Sequence, residues 1–292
     1  MTVPPDIDSV NHVGMAVRDL AATVRRYEAM GFQLTPYSPH SGAWKPGEAV
    51  HPMRSGNRCV MFRHNYLEIL SSENPAAPAP RLANYLRHHE GAHIICFNTG
   101  DVAGVDRRLV AAGLKTSGVM PLQREIETPD GVRTARFERV GFAPDDSPEG
   151  FIQAARHFTP EYIYQPRYVR HPNGCTELSD VIVVADDLDH FAGKYARYLG
   201  RAPERTGGVV RFRFPLVSTL TLVDAQGAKA LLPGSLMPPI PGIAAVAFRA
   251  PDLAALRARL SGHGFAVGEA GGGRLVVPAE QASGLAIVFE AG

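Results

Sequence analysis

Four polar residues interrupt strand-like apolar runs within residues 1–157 of this 292-residue chain: His12 in VNHVGMAV, Glu68 in NYLEIL, His93 in GAHIICF and Gln153 in GFIQAAR. Imidazole and carboxylate are the usual ligands of Zn, Ni, Co, Mn or Fe(II). Ionisable side chains are almost never buried alone, so a Glu inside an apolar strand asks for a partner. Two imidazoles and one carboxylate brought together would hold a single divalent metal with open positions, an arrangement that suits Fe(II) without selecting it. Each residue also has a plainer reading, as a satisfied core histidine or a glutamate on the wet face. Gln153 is open between a further ligand, a hydrogen-bond partner for substrate and an ordinary strand residue.

These residues meet only if their strands are equivalent parts of a repeat. Four segments share one form: VNHVGMAVRDLAATVRRYEAMGF, EGAHIICFNTGDVAGVDRRLVAAGL, LSDVIVVADDLDHFAGKYARYLGR and PGIAAVAFRAPDLAALRARLSGHGF. In each, a β-rich run leads to an Asp (19, 101, 187, 252) suited to cap a helix, because its carboxylate accepts the free N–H groups of the first turn. A Gly (31, 113, 200, 264) then stops the helix. Leu20, Val24, Tyr27 and Met30 recur at helical spacing and read as the buried stripe of the first helix. Further strand-like runs follow each helix, so every unit reads β-α-β-β-β, with its second strand least defined.

With the Asp as ruler, the place of His12 is taken by His93, Asp180 and Ala244 in the next three units. The place of Glu68 is taken by Gln153, Thr221 and Ile287. The polar set therefore belongs to the first two units alone. Between the second and third units runs RHFTPEYIYQPRYVRHPNGCTE, aperiodic and rich in Pro and aromatics, and long for a plain connection. The expected organisation is a metal-binding pair of units over 1–157, a linker over 158–176 and a metal-free pair over 177–292.

Composition narrows the function classes. Hydrophobic residues make up 45% of the chain and charged ones 20%, which favours a packed core over disorder. A formal net charge of +1 without a basic stripe argues against a nucleic-acid partner. No apolar run reaches the length of a membrane span, and the N-terminus does not read as a secretory signal. Three widely spaced cysteines, Cys59, Cys96 and Cys175, suggest neither a disulfide framework nor a zinc knuckle, so a cytoplasmic location is expected. No nucleotide-binding glycine motif or nucleophile elbow is present, so no nucleotide cofactor is expected. The expected partner is a small-molecule substrate, with a homodimer left open.

In NHVGMAVRDL, NYLEIL and GAHIICF, and in the four units over nearly its whole length, the chain resembles the vicinal oxygen chelate superfamily of glyoxalase I, bleomycin-resistance proteins and extradiol dioxygenases. That resemblance implies an α+β fold of four βαβββ modules in two domains with mixed, curved sheets. It also implies that His12, Glu68 and His93 are metal ligands, with Gln153 at the fourth ligand position. Glyoxalase I typically carries there a Glu that doubles as base. Gln153 cannot take up a proton at neutral pH, so Glu68 is the expected proton shuttle.

Substrate contacts are expected from two less regular stretches. The linker offers His157, Tyr164 and His171. Residues 36–57, with Gly, Pro, His40, His51 and the sole tryptophan, Trp44, suggest a lid. Arg63 could pair with an anionic substrate. The reading that follows is a metal-dependent lyase or isomerase, in which the cation stabilises an oxyanion on a substrate with vicinal oxygens. The alternatives are an Fe(II) ring-cleaving dioxygenase and a non-catalytic binding protein.

Overall fold

Residues 6–42, 48–142 and 146–292 are described by a computed structural model. The first unit runs β1 (Ile7–Ala16), α1 (Leu20–Ala29), β2 (Ser38–Gly42), β3 (His51–Met61) and β4 (Tyr66–Ser72). After α2 (Pro80–His88), the second runs β5 (Gly91–Thr99), α3 (Val102–Ala111), β6 (Thr116–Thr128), β7 (Gly131–Phe142) and β8 (Phe151–His157). The linker contains one short turn, α4 (Pro160–Ile163). The third unit is β9 (Glu177–Val184), α5 (Leu188–Leu199), β10 (Glu204–Thr206), β11 (Val209–Arg213) and β12 (Thr219–Val223). Past α6 (Ala225–Leu231), the fourth is β13 (Gly242–Ala250), α7 (Leu253–Gly262), β14 (Gly268–Ala270), β15 (Arg274–Val277) and β16 (Ala286–Ala291).

The four helices of the repeat start as their sequences require. Asp19, Asp101, Asp187 and Asp252 each accept a hydrogen bond from the backbone N–H three residues on, at 2.8–2.9 Å. At the other end, Gly200 takes the left-handed conformation (φ 62°) that closes α5 without a side-chain clash.

The two halves close differently. Strands β1–β8 form a closed barrel in the order β1-β4-β3-β2-β6-β7-β8-β5, whereas β9–β16 stay an open eight-stranded sheet. Both are mixed, because β1 runs parallel to β4, β5 to β8, β9 to β12 and β13 to β16. The concave face of the open sheet is filled from within. Ala228 of α6 and Leu232 pack on Ile182, Ala245, Ala247 and Val288. Outward-facing residues of both halves and their helices share one core, where Phe32 and Phe62 meet Phe248 across the junction.

Residues 36–57 do not form the expected lid loop. Their described parts are strands β2 and β3, whose pairing with each other and with β6 completes the barrel. Trp44 lies outside the described residues. No helix among the described residues is long and apolar enough to cross a membrane.

Candidate functional site

Inward-facing residues alternate along every barrel strand, and those of the first half enclose a cavity of about 120 Å³. His12 from β1, Glu68 from β4 and Gln153 from β8 all line it, as do His40 from β2, Arg124 from β6 and His157 from β8. Different elements pack at its two ends. At one end Ile163 and Tyr168 of the linker pack with Tyr66 and Phe137. At the other, Leu82 of α2 packs with Leu70 and Ile94.

Glu68 is the electrostatic hub. Its Oε2 lies 3.8 Å from His12 Nε2, while its Oε1 is 3.5 Å from His40 Nε2 and 3.8 Å from Arg124 Nη1. The Asn57 amide also donates to Oε1. Burial alone would raise this carboxyl. The His40 hydrogen bond, the neighbouring His12 and His40 rings and the Arg124 guanidinium override it and hold Glu68 ionised, well below the usual carboxylate range.

His12 is held in one tautomer by a chain of fixed acceptors. Two Asn98 Nδ2 contacts to the Asp8 carboxylate orient that amide, and its Oδ1 accepts from Asn11 Nδ2 at 3.1 Å. Asn11 therefore turns its Oδ1 to His12 Nδ1, 2.8 Å away. An amide oxygen only accepts, so Nδ1 carries the proton and Nε2 keeps its lone pair towards Glu68. Burial pushes the ring down to about 4, against the opposing pull of Glu68, so it is neutral at neutral pH. The ring stacks on Tyr66 with centroids 4.6 Å apart.

His93 does not join them. Its Nε2 donates to the His89 carbonyl at 3.0 Å, and its ring stacks on Tyr85 of α2 at 4.7 Å. The cause is a β-bulge: Gly14 pairs with Ile94 and Met15 with Ala92, so His93 is the unpaired extra residue of β5. Ile94, not His93, faces the cavity opposite His12's side of the barrel seam. The repeat therefore matches His12 with Ile94, Asp180 and Ala245. Parallel register likewise matches Glu68, beside Gly14, with Gln153, Thr221 and Val288. A one-residue slip turns every side chain to the opposite face, which is why Ile287 points into the helix-side core.

Other expected contacts divide. His157 lines the cavity, and burial pushes it down to about 3, leaving it neutral. Tyr164 packs behind it, ring centroids 5.6 Å apart. His171 is structural: it accepts from Gln33 N–H and donates to the Met61 carbonyl, wedged between Phe32 and Phe62. Arg63 is exposed in the turn between β3 and β4. Arg124, Arg139 and Arg81 were not anticipated, although all three line the cavity. Arg124 and Arg139 had a signal, since each is an inward residue alternating with apolar ones, Leu122 and Ile126 for the first and Ala135 and Phe137 for the second.

Residues 10–199 match the family model of the glyoxalase-like domain. The chain belongs to this family, within the vicinal oxygen chelate superfamily. Solved structures extend the likeness of fold over both halves of this glyoxalase-like protein. A hypothetical protein from Staphylococcus aureus aligns at 12% identity over 97% of this chain and 98% of its own, with a TM-score of 0.66. A variant of 4-hydroxymandelate synthase from Streptomyces coelicolor aligns at 15% identity over 98% and 93%, with a TM-score of 0.58. A fusion of a xylose isomerase-like TIM barrel with 4-hydroxyphenylpyruvate dioxygenase aligns at 13% identity over 98% of this chain and 49% of that one, with a TM-score of 0.57. No curated protein matches.

The metal that the family resemblance implies finds an incomplete set of ligands here. Among the described residues, no three His, Cys, Asp or Glu side chains are placed to share a cation. The four equivalent places hold His12, Glu68, Ile94 and Gln153. That leaves one imidazole, one amide oxygen and a carboxylate whose charge Arg124 already answers. Gln153 Oε1 is buried without a hydrogen-bond partner, so the cavity still offers an unused acceptor. These residues do not fit the expected His12–Glu68–His93 site.

Proposed function

We propose that this glyoxalase-like protein binds a small molecule with vicinal oxygens and moves a proton on the carbon beside a carbonyl, as a lyase or isomerase does. His12 is the base. The observation that carries this reading is the free Nε2 lone pair of a neutral, tautomer-locked imidazole, 3.8 Å from an ionised Glu68 inside a closed barrel.

The step balances on groups already described. The C–H proton passes to His12 Nε2, and the C–H electron pair becomes the enolate, whose charge rests on the former carbonyl oxygen. Glu68 then faces an imidazolium rather than an imidazole, and their attraction favours that state over the resting one. The Arg124 guanidinium, whose Nε is buried without a partner, supplies the positive charge for the enolate oxygen. Gln153 Oε1 accepts from a substrate hydroxyl. Transfer of the substrate's hydroxyl proton to the former carbonyl oxygen, with return of the C–H proton from His12 to the neighbouring carbon, makes the hydroxyl oxygen the new carbonyl and completes an isomerisation.

An Fe(II) ring-cleaving dioxygenase would need two imidazoles and a carboxylate placed to share one cation; His40 and His157 line the cavity with His12 and Glu68, but among the described residues no three such side chains are so placed. The neighbours named as synthase and dioxygenase share the fold at 13–15% identity, which carries no reaction over.

The test is hydrogen exchange in D2O with 2-hydroxyacetophenone, C6H5–CO–CH2OH, whose methylene bears the hydroxyl and adjoins the carbonyl. Proton NMR should show loss of the methylene signal faster than in buffer, and His12→Gln should slow it about 100-fold or more. Binding without accelerated exchange would leave a binding protein instead, and accelerated exchange indifferent to His12→Gln would overturn His12 as the base.

A further inference from the structure

The cavity holds more positive charge than its chemistry uses. Three guanidiniums line it, Arg81, Arg124 and Arg139, against a single carboxylate, Glu68. Glu68 is engaged by Arg124 and His40. The other two arginines sit together at the α2 end, both against one aromatic ring. The Arg81 guanidinium lies 4.5 Å from the Phe151 ring centroid and that of Arg139 lies 5.1 Å from it. Arg81 Nε donates to the Tyr85 hydroxyl at 2.8 Å, which fixes the head and leaves its outer N–H groups unspent. Arg139 Nη1 is buried with no hydrogen-bond partner.

Two adjacent like charges, one of them with a buried, unpartnered Nη1, oppose folding unless something answers them. Burial together with the neighbouring Arg81 pulls the Arg139 guanidinium down to about 10, and no carboxylate acts against that pull. Stacking on Phe151 holds both forks in place before any ligand arrives, which lowers the ordering cost of binding. A planar guanidinium fork matches a carboxylate with two parallel N–H···O bonds. Around it the wall is apolar, with Leu70 and Ile94 between this end and His12.

We infer that the α2 end of the barrel is a carboxylate subsite, in which Arg139 and Arg81 hold the acid group of a small organic acid with an apolar body. This rests on the barrel being the substrate site proposed above, and it narrows that substrate to an anion.

The test is calorimetric titration of the full chain with benzoylformate, its methyl ester and phenylphosphonate. None of the three has a proton to exchange, so binding is read apart from chemistry. The wild type should bind benzoylformate at least 10-fold more tightly than the ester. Arg139→Gln should abolish that preference by weakening the acid alone, Arg81→Gln should reduce it, and His12→Gln should retain it. If Arg139→Gln does not fold, Arg139→Lys keeps the charge and removes the fork, and should weaken the acid by several-fold. Equal binding of acid and ester, no binding of any probe, or an acid affinity unmoved by the Arg139 and Arg81 changes overturns the subsite. Tighter binding of the phosphonate than of the acid overturns its assignment to a carboxylate. Acid preference with no exchange at His12 would sink the proton-transfer reading and leave this one standing. Exchange with no acid preference would do the reverse.

Discussion

Asn11 and His93 are the same residue of the fold: each is bulged out of its strand where β1 and β5 pair, eight residues before the capping Asp. The third and fourth units bulge at Ser179 and Ala244, again eight residues before the capping Asp. The residue after each bulge faces inward, and it is His12, Ile94, Asp180 and Ala245 in turn. Placing an imidazole at the second of these should complete the set that His93 cannot. Ile94→His is expected to confer binding of Zn2+ or Ni2+ by calorimetry, with His12→Ala abolishing the gain. His93→Ala should leave metal affinity as it is in the wild type. A wild type whose metal content falls on His93→Ala would contradict the assignment of the bulge.

The same two residues show how far the sequence could be read. The four-fold repeat was legible because Asp caps and stopping glycines are local signals with fixed spacing. Glu68 was legible because a carboxylate inside YLEIL has no local excuse. His93 misled because a bulge adds one residue without any mark in the sequence, and one residue decides which face a side chain takes. Arg124 and Arg139 gave the same kind of signal as Glu68. It was masked because the outer face of β6 and β7 is largely polar and exposed, so their strands do not stand out as apolar runs. Pro39, Pro52 and several glycines disguised β2 and β3 as a lid, and with them His40's place beside Glu68.

The chain from Asp8 through Asn98 and Asn11 to His12 should matter for rate and not for binding. Asn98→Leu removes the group that orients the Asn11 amide, which can then turn its NH2 towards His12 and favour the wrong tautomer. Methylene exchange should fall by about 10-fold or more, while the affinity for benzoylformate stays within about 2-fold. Imidazole 15N shifts should show the proton moving from Nδ1 to Nε2. Unchanged shifts would remove the chain from the mechanism.

Removal of metal should change little. Exhaustive dialysis against EDTA is expected to leave both exchange and melting temperature as before, since Arg124 and not a cation answers Glu68. Exchange that disappears with EDTA and returns with one added metal would show that His12, Glu68 and Gln153 suffice as ligands.

Acid should destabilise the fold through its buried histidines. Burial pushes His12, His93 and His171 to about 4 and His157 to about 3, all below the ordinary 6.5. Below pH 6.5 the unfolded chain takes up protons that the folded chain refuses, so stability falls as pH drops from 6.5 towards 4, by up to about 1.4 kcal/mol per pH unit for each such group. Asp180 works in the opposite sense. Its Oδ2 accepts from Thr221, its Oδ1 is buried without a partner, and burial raises it to about 7. Folding then favours the protonated acid between about 4 and 7, and that contribution is lost as pH rises through 7. Asp180→Asn should therefore raise the melting temperature clearly more at pH 8 than at pH 5. An equal shift at both values would mean that Asp180 does not titrate in this range.

Glu68 and Arg124 should prove strongly coupled. Both are buried, at 7% and 8% exposure, so removing either partner strands a charge in the barrel wall. Arg124→Met is expected to cost about 3 kcal/mol in urea unfolding, and Glu68→Gln somewhat more. Their combination should cost clearly less than the two together, because the second change removes the charge that the first left unanswered. His40 and Asn57 also contact Glu68, so they cushion the loss of Arg124 more than the loss of Glu68 cushions Arg124. Arg124→Met should accordingly be the milder single change for folding, yet the more damaging one for enolate stabilisation. Strict additivity of the two energies would mean that the carboxylate and guanidinium are each satisfied by other groups.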